Sequence, residues 1–401
     1  MRGFAFAVGV ALAASSTGAT MQEPPSRIER IAGPPGLPFS ALVKADGLLH
    51  VAGTMATDTI ERPVEGDIRV QTRRTLESIG ALLRRHGSGL DRVLSVNVYL
   101  TRAEDFAAMN EVYTTFFPKD PPARTTVVAA LVLPGALVEM SAVAVPNGSP
   151  REVVHPAAWA KSPNPYSYGV RAGDTLMLAG LVARDVKANA PVEGDMAAQT
   201  KLVLENAGEV LRAAGMSYAD VVSSRVYITD GAAFQEMNAA YRPFFPGDKP
   251  VRATVVTGLM HPAYKVEITL VAVKGAKQAF VAPGPDGSPG QPSPNFSHAL
   301  RAGSRLFVAG MLGDTPATRG DAKAQAGEAL ARIARTMRAA GYQPADAVDA
   351  VVYVTDARHF AAMNEAWREV FGTQFPARAT VVTGLVAPDG LVEIMITAAR
   401  P

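Results

Sequence analysis

Three arginine–glutamate pairs stand at one fixed offset in this chain. Arg124 precedes Glu139, Arg252 precedes Glu267 and Arg378 precedes Glu393, each by 15 residues. An arginine in a cleft holds a carboxylate through two parallel N–H···O bonds, which fix position and orientation together. A carboxyl group nearby can orient water or pass protons to and from a reacting group. The plainer reading is a salt bridge between adjacent strands. An exposed bridge of that kind is worth only ~0–1 kcal/mol, a weak reason for keeping it three times.

The pairs belong to a longer frame. Gly66-Asp67, Gln71, Tyr99-Leu100-Thr101, Met109-Asn110, Arg124, Leu131 and Glu139 recur as Gly194-Asp195, Gln199, Tyr227-Ile228-Thr229, Met237-Asn238, Arg252, Leu259 and Glu267. They recur again as Gly320-Asp321, Gln325, Tyr353-Val354-Thr355, Met363-Asn364, Arg378, Leu385 and Glu393. Asp and Arg are 57 residues apart in every copy (67 to 124, 195 to 252, 321 to 378). A repeat of this length is a domain rather than a solenoid turn.

Within a unit the pattern predicts β-β-α-β-α-β-β. The Asp of Gly-Asp suits a helix N-cap. Leu76, Ile79 and Leu83 mark one helix face, repeated by Leu204, Ala207, Leu211 and by Leu330, Ile333, Met337. Gly87, Gly215 and Gly341 fall where a C′ glycine belongs. A β-rich run (Val93 to Leu100) and a helix with Phe106 and Met109 follow. Two strands, Arg124 to Leu131 and Leu137 to Val145, close the unit around Leu133-Pro134-Gly135. The first helix is preceded by a strand ending at Ala52-Gly53, Ala179-Gly180 or Ala309-Gly310. The Tyr of Tyr-x-Thr is expected in the core, and Trp159 and Trp367 as packing residues.

Linkers at Pro146–Pro150 and Pro283–Pro294, rich in Pro, Gly and Ser, separate domains at 22–147, 150–275 and 291–401. Residues 1–20 have the pattern of a signal peptide: Arg2, an apolar run from Phe4 to Ala14, then Thr17-Gly18-Ala19. The product would be periplasmic or secreted, or cytoplasmic if translation starts at Met21, with no membrane association when mature. A net charge of +2 gives no electrostatic footprint for nucleic acid. There is no cysteine, so disulfides and thiolate chemistry are excluded. The six histidines (His50, His86, His155, His261, His298, His359) show no metal-ligand spacing, and neither a phosphate loop nor a nucleophile elbow is present.

The ordered set of motifs resembles the RidA (YjgF/YER057c/UK114) family of imine deaminases. It includes Pro165-Tyr166-Ser167, the Leu-Ala-Gly strand end, Val-Tyr-Ile-Thr-Asp, Met-Asn, Pro122–Val127 and Leu137-Val138-Glu139. The resemblance covers nearly the whole chain three times. It implies an α+β fold of three tandem chorismate-mutase-like domains, each a mixed sheet covered by two helices. Members are homotrimers with clefts between subunits, so one chain carrying three units implies an intramolecular pseudo-trimer, monomeric as a chain.

By the same resemblance, Arg124, Arg252 and Arg378 would bind a substrate carboxylate. Glu139, Glu267 and Glu393 would hold water or transfer protons as a 2-imino acid becomes a 2-keto acid and ammonia. Asn110, Asn238 and Asn364, with Gly53, Gly180 and Gly310, would shape the cleft, although each Asn could equally be a cap inside its helix. No cofactor is implied. The family tyrosine survives only as Tyr166, with Phe39 and Phe296 elsewhere, and the family Ser-Gly-Gln hydroxyl is absent from all three units. The site of Arg252 and Glu267 is therefore the first candidate, with Tyr166 free to serve a neighbouring arginine. The alternative is a non-catalytic small-carboxylate-binding protein on the same scaffold.

Overall fold

The chain is described from a computed structural model that covers Met1 and residues 28–59 and 62–400. The signal-peptide pattern and the start at Met21 lie outside these described residues. In unit two, strands Gly169–Ala172 and Thr175–Leu178 form a hairpin, followed by helix Met196–Ala213 and strand Val221–Ile228. Helix Phe234–Tyr241, the arginine strand Val251–Val256 and the glutamate strand Val266–Val273 complete it. Units one and three repeat this order, as the periodicity predicted. Asp67, Asp195 and Asp321 accept from the amides of Val70, Ala198 and Ala324 at 3.1, 2.7 and 3.0 Å, so each caps its helix. Gly87, Gly215 and Gly341 take the left-handed φ of 80°, 68° and 86° that ends these helices.

The sheet order decides where the chemistry sits. The arginine strand runs parallel to Val221–Ile228, which pairs antiparallel with the glutamate strand. One strand therefore separates Arg252 from Glu267, and a bridge between adjacent strands is not what forms. The parallel pair arises because helix Phe234–Tyr241 carries the chain back across the sheet.

These strands are apolar on both faces because both are covered. Val226 and Ile228 point into the core of unit two, among Leu204, Ala207 and Leu211 of its long helix. Tyr227, between them, points the other way, into a core shared by all three units with Tyr99 and Tyr353. All three tyrosines are buried, as expected.

Backbone pairing between units closes a cycle. Gly258–Leu259 of unit two pairs with the arginine strand of unit one, and Gly384–Leu385 of unit three with that of unit two. Ala130–Leu131 of unit one pairs with that of unit three. A second cycle follows the same direction: the amides of Ser167, Ser297 and Ser40 donate to the carbonyls of Pro122, Pro250 and Pro376. The run expected as one strand from Arg124 to Leu131 thus divides. Ala123–Val128 stays in its own sheet, while Ala130–Leu131 crosses to a neighbour. Lys277–Phe280, assigned to neither domain by the sequence, pairs with Ala299–Ala302 and so adds an edge strand to unit three.

A buried glutamine fixes the turn before each glutamate strand. Gln199 Nε2 donates to the Val192 and Ala263 carbonyls at 3.1 and 2.7 Å, and its Oε1 accepts from the Lys265 amide at 2.8 Å. Gln71 and Gln325 make the corresponding clamps. Gln199→Ala would leave these backbone groups unpaired out of water and is expected to lower stability by about 1–3 kcal/mol. A urea midpoint unchanged from wild type would show that the clamp contributes nothing.

Candidate active site

The arginine of each unit faces the glutamate of the next unit round the cycle. Glu267 bears electrostatically on Arg124, Glu393 on Arg252 and Glu139 on Arg378. The expected pairing of Arg252 with Glu267 is therefore corrected: Glu267 works with Arg124, and Tyr166 joins that same cleft. The reason is topological. A fixed offset along the chain survives equally well when partners are exchanged cyclically, and the intervening strand keeps partners within a unit apart.

All six side chains are at most 4% exposed. Three aromatic rings surround each guanidinium. For Arg124 they are Phe106, Tyr113 and Tyr166, at 5.5, 4.7 and 5.8 Å from Cζ. Phe234, Tyr241 and Phe296 surround Arg252, while Phe39, Phe360 and Trp367 surround Arg378. The ring faces offset part of the cost of taking a cation out of water. Trp367, expected as a packing residue, is also the ring beneath Arg378, at 4.8 Å. Burial pulls all three guanidiniums below their ordinary pKa, and arginine starts so high that each remains a cation.

Each glutamate folds over a glycine. A Cβ on Gly53, Gly180 or Gly310 would lie 1.8–1.9 Å from Oε1 of Glu139, Glu267 or Glu393. Glycine is required here for space, since none of the three has a left-handed φ. The Thr126 amide donates to Glu267 Oε1 at 3.2 Å, and the Thr254 and Thr380 amides bear on Glu393 and Glu139 in the same way. Burial raises each carboxyl from its ordinary 4.5 to about 8, against the amide and the arginine, which lower it.

The asparagines separate the clefts. Asn238 and Asn364 accept from Nη2 of Arg252 and Arg378 at 2.6 and 2.7 Å, so both belong to the site rather than acting as caps. Asn110 instead donates to Asn164 Oδ1 across the seam at 3.2 Å and leaves Arg124, while Nη1 is without a hydrogen-bond partner in both Arg124 and Arg252. The Arg124–Glu267 cleft has a volume of about 330 Å³ and is lined by Tyr166, Gly180, Arg184, His261 and Tyr264 among others. A separate cavity of about 80 Å³, lined by His50, Asn97, Arg225 and Asp349, holds none of the arginine–glutamate pairs.

A family model described as Endoribonuclease L-PSP matches residues 31–146, 158–274 and 288–400. The chain belongs to this family. It is the RidA (YjgF/YER057c/UK114) family of the sequence resemblance, present as three tandem domains. A RutC family protein of Pyrococcus abyssi is 40% identical over 108 residues, covering 27% of this chain and 85% of that protein. The crystal structure of a YjgF/YER057c/UK114 family member from Mycobacterium tuberculosis is 32% identical, covering 31% of this chain and 99% of that one, with a TM-score of 0.27. A chorismatase structure aligns over 77% of this chain and 93% of its own at 17% identity, with a TM-score of 0.48.

The raised carboxyls fix the sign of a pH effect on stability. A carboxyl more basic in the folded chain than in the unfolded one contributes stability that is fully present below 4.5 and lost as pH rises through about 8. Glu267→Gln stays neutral, so the variant is expected to lose less stability than wild type between these limits. Equal losses in urea unfolding would show that Glu267 does not titrate there.

Proposed function

We propose that the protein hydrolyses 2-imino acids to 2-keto acids and ammonia in clefts between its tandem domains. The observation that carries this reading is a cationic guanidinium, left by the asparagine of its own unit, sharing one cleft with a buried carboxyl of raised pKa. The closed cycle of strand pairing supports a single chain as the working unit, an intramolecular pseudo-trimer.

In this reading Arg124 binds the substrate carboxylate and turns the C=N carbon toward Glu267. With a pKa near 8, Glu267 is largely protonated at neutral pH and gives its proton to the imine nitrogen. Water then adds to the carbon, forming the C–O bond, while the Glu267 carboxylate accepts its proton. Glu267 returns that proton to the amino nitrogen, the C–N bond breaks as ammonia leaves, and the hydroxyl proton passes to the Glu267 carboxylate as the carbonyl forms. One water is consumed and no electrons are transferred.

The clefts of Arg252 and Arg378 favour a second reading for themselves. Asn238 and Asn364 already occupy one donor of each arginine, and phenylalanine replaces tyrosine on the wall. These two clefts suit carboxylate binding without the turnover assigned to the first.

Imines made in situ by an amino-acid oxidase, in competition with semicarbazide, test the assignment. Arg124→Ala is expected to remove most of the acceleration, and Arg252→Ala or Arg378→Ala much less. Glu267→Gln should cost about 10²–10⁴-fold. The wild-type rate should fall as pH rises through about 8, where the donating form of Glu267 is lost. Turnover unchanged in Arg124→Ala, with the fold intact by circular dichroism, would overturn the assignment.

A further inference from the structure

The Arg124–Glu267 cleft contains a second arginine that the hydrolysis does not use. Arg184 stands four residues after Gly180, and the strand register places its equivalents without ambiguity. Val182 is opposite Glu267, Met55 opposite Glu139 and Leu312 opposite Glu393. Two residues further on, the three clefts carry Arg184, Thr57 and Asp314. One position is thus cationic, one neutral and one anionic. Asp314 acts on Glu393 electrostatically, which places it beside that carboxyl.

Arg184 is held in place. It pairs with Pro191 in a short hairpin, Arg184–Asp185 against Ala190–Pro191. Asn206 Nδ2 donates to its carbonyl at 3.0 Å. Asp185 Oδ1 accepts from the Lys187 and Ala188 amides at 2.8 and 2.9 Å, closing the hairpin turn. The guanidinium donates from Nη1 to the Tyr264 hydroxyl at 3.3 Å and from Nη2 to the Asn189 carbonyl, and its buried Nε has no hydrogen-bond partner. No carboxylate neutralises it within 4.0 Å among the described residues. Tyr264 has no counterpart in the other clefts, where Ala136 and Gly390 stand at its position before the glutamate.

We propose that Arg184 recognises a second anionic group, so that the Arg124–Glu267 cleft takes 2-imino acids with a carboxylate at the far end of the side chain. Arg124 holds the carboxylate beside the reacting carbon, and Arg184 the distal one, with Tyr264 orienting the guanidinium between them. The Asp314 cleft repels such a substrate and the Thr57 cleft is indifferent to it. This assigns substrate class to the hydrolase reading and rests on it for the chemistry, but not for the binding.

The test compares imines from an acidic and an aliphatic amino acid, 2-iminoglutarate and 2-iminobutanoate, with wild type and Arg184→Ala. Calorimetry with 2-oxoglutarate and 2-oxobutanoate runs alongside. The ratio of kcat/KM for the dicarboxylate over the monocarboxylate is expected to fall by roughly 10- to 100-fold in Arg184→Ala, the worth of one charge-assisted hydrogen bond. Arg184→Lys should restore part of it. An equal loss on both substrates would mark Arg184 as structural, and an unchanged ratio would overturn the proposal while leaving the hydrolase standing. If wild type hydrolyses neither imine, the hydrolase reading falls. The second-anion site then stands or falls on whether 2-oxoglutarate binds more tightly than 2-oxobutanoate and loses that advantage in Arg184→Ala.

Discussion

The structure depends on keeping a carboxyl and a guanidinium out of water at a seam between two domains. Removing such groups from solvent costs several kcal/mol each, and mutual attraction repays this only with further support. Here the support comes from both sides. One unit supplies the arginine, two of its three aromatic rings and the threonine amide, while the next supplies the third ring, the glutamate and the glycine beneath it. A single unit has an arginine without its carboxyl and a carboxyl without its amide. The smallest complete site needs two units. With each unit offering one half-site of each kind, three units leave none unfilled only if the chain closes on itself.

Joining the units in one chain removes the requirement that equivalent positions be identical. The positions of Asn97, Arg225 and Val351 show what this permits, since each stands two residues before its central tyrosine. In a symmetric trimer an arginine there would be present three times round one axis, and like charges would repel. In this chain Arg225 alone is cationic, and its Nη2 donates to Asn97 Oδ1 at 2.8 Å. The same freedom lets Asn110 leave its arginine for Asn164 while Asn238 and Asn364 stay bound to theirs.

Much of this was legible in the sequence, because local physics writes local patterns. The capping aspartates, the C′ glycines and the apolar helix faces each follow from one turn of backbone, and all three units show them. The partner of each arginine was not legible. Offsets within a unit stay constant whether Arg124 meets Glu139 or Glu267, and only the order of strands in the sheet distinguishes these. A signal was nonetheless present. An arginine strand reached through a helical crossover lies parallel to Val93–Leu100, which leaves that strand between it and the glutamate. Ala130–Leu131 was merged with the arginine strand because two residues are too few to show a period of their own. The clamp by Gln71, Gln199 and Gln325 appeared as repeated letters, and its role depended on a turn about 65 residues away.

In the proposed reading, reactivity and selectivity fall to different parts of this fold. The three carboxyls reach the same raised pKa of about 8 although their surroundings differ, because burial over a glycine dominates in each. Asp314 is the smallest of the influences on Glu393 and does not move it away from the other two. Desolvation is the largest influence on all three, and it is common to all units. In the proposed reading the residues four positions beyond the glycine meet the far end of a bound molecule, and Asp314 also bears on the Glu393 carboxyl. Thr57, Arg184 and Asp314 differ in charge while the glutamates behind them are all raised to about 8. A repeat that keeps its glycine and glutamate while varying this position keeps the buried carboxyl and changes the charge that an entering molecule meets.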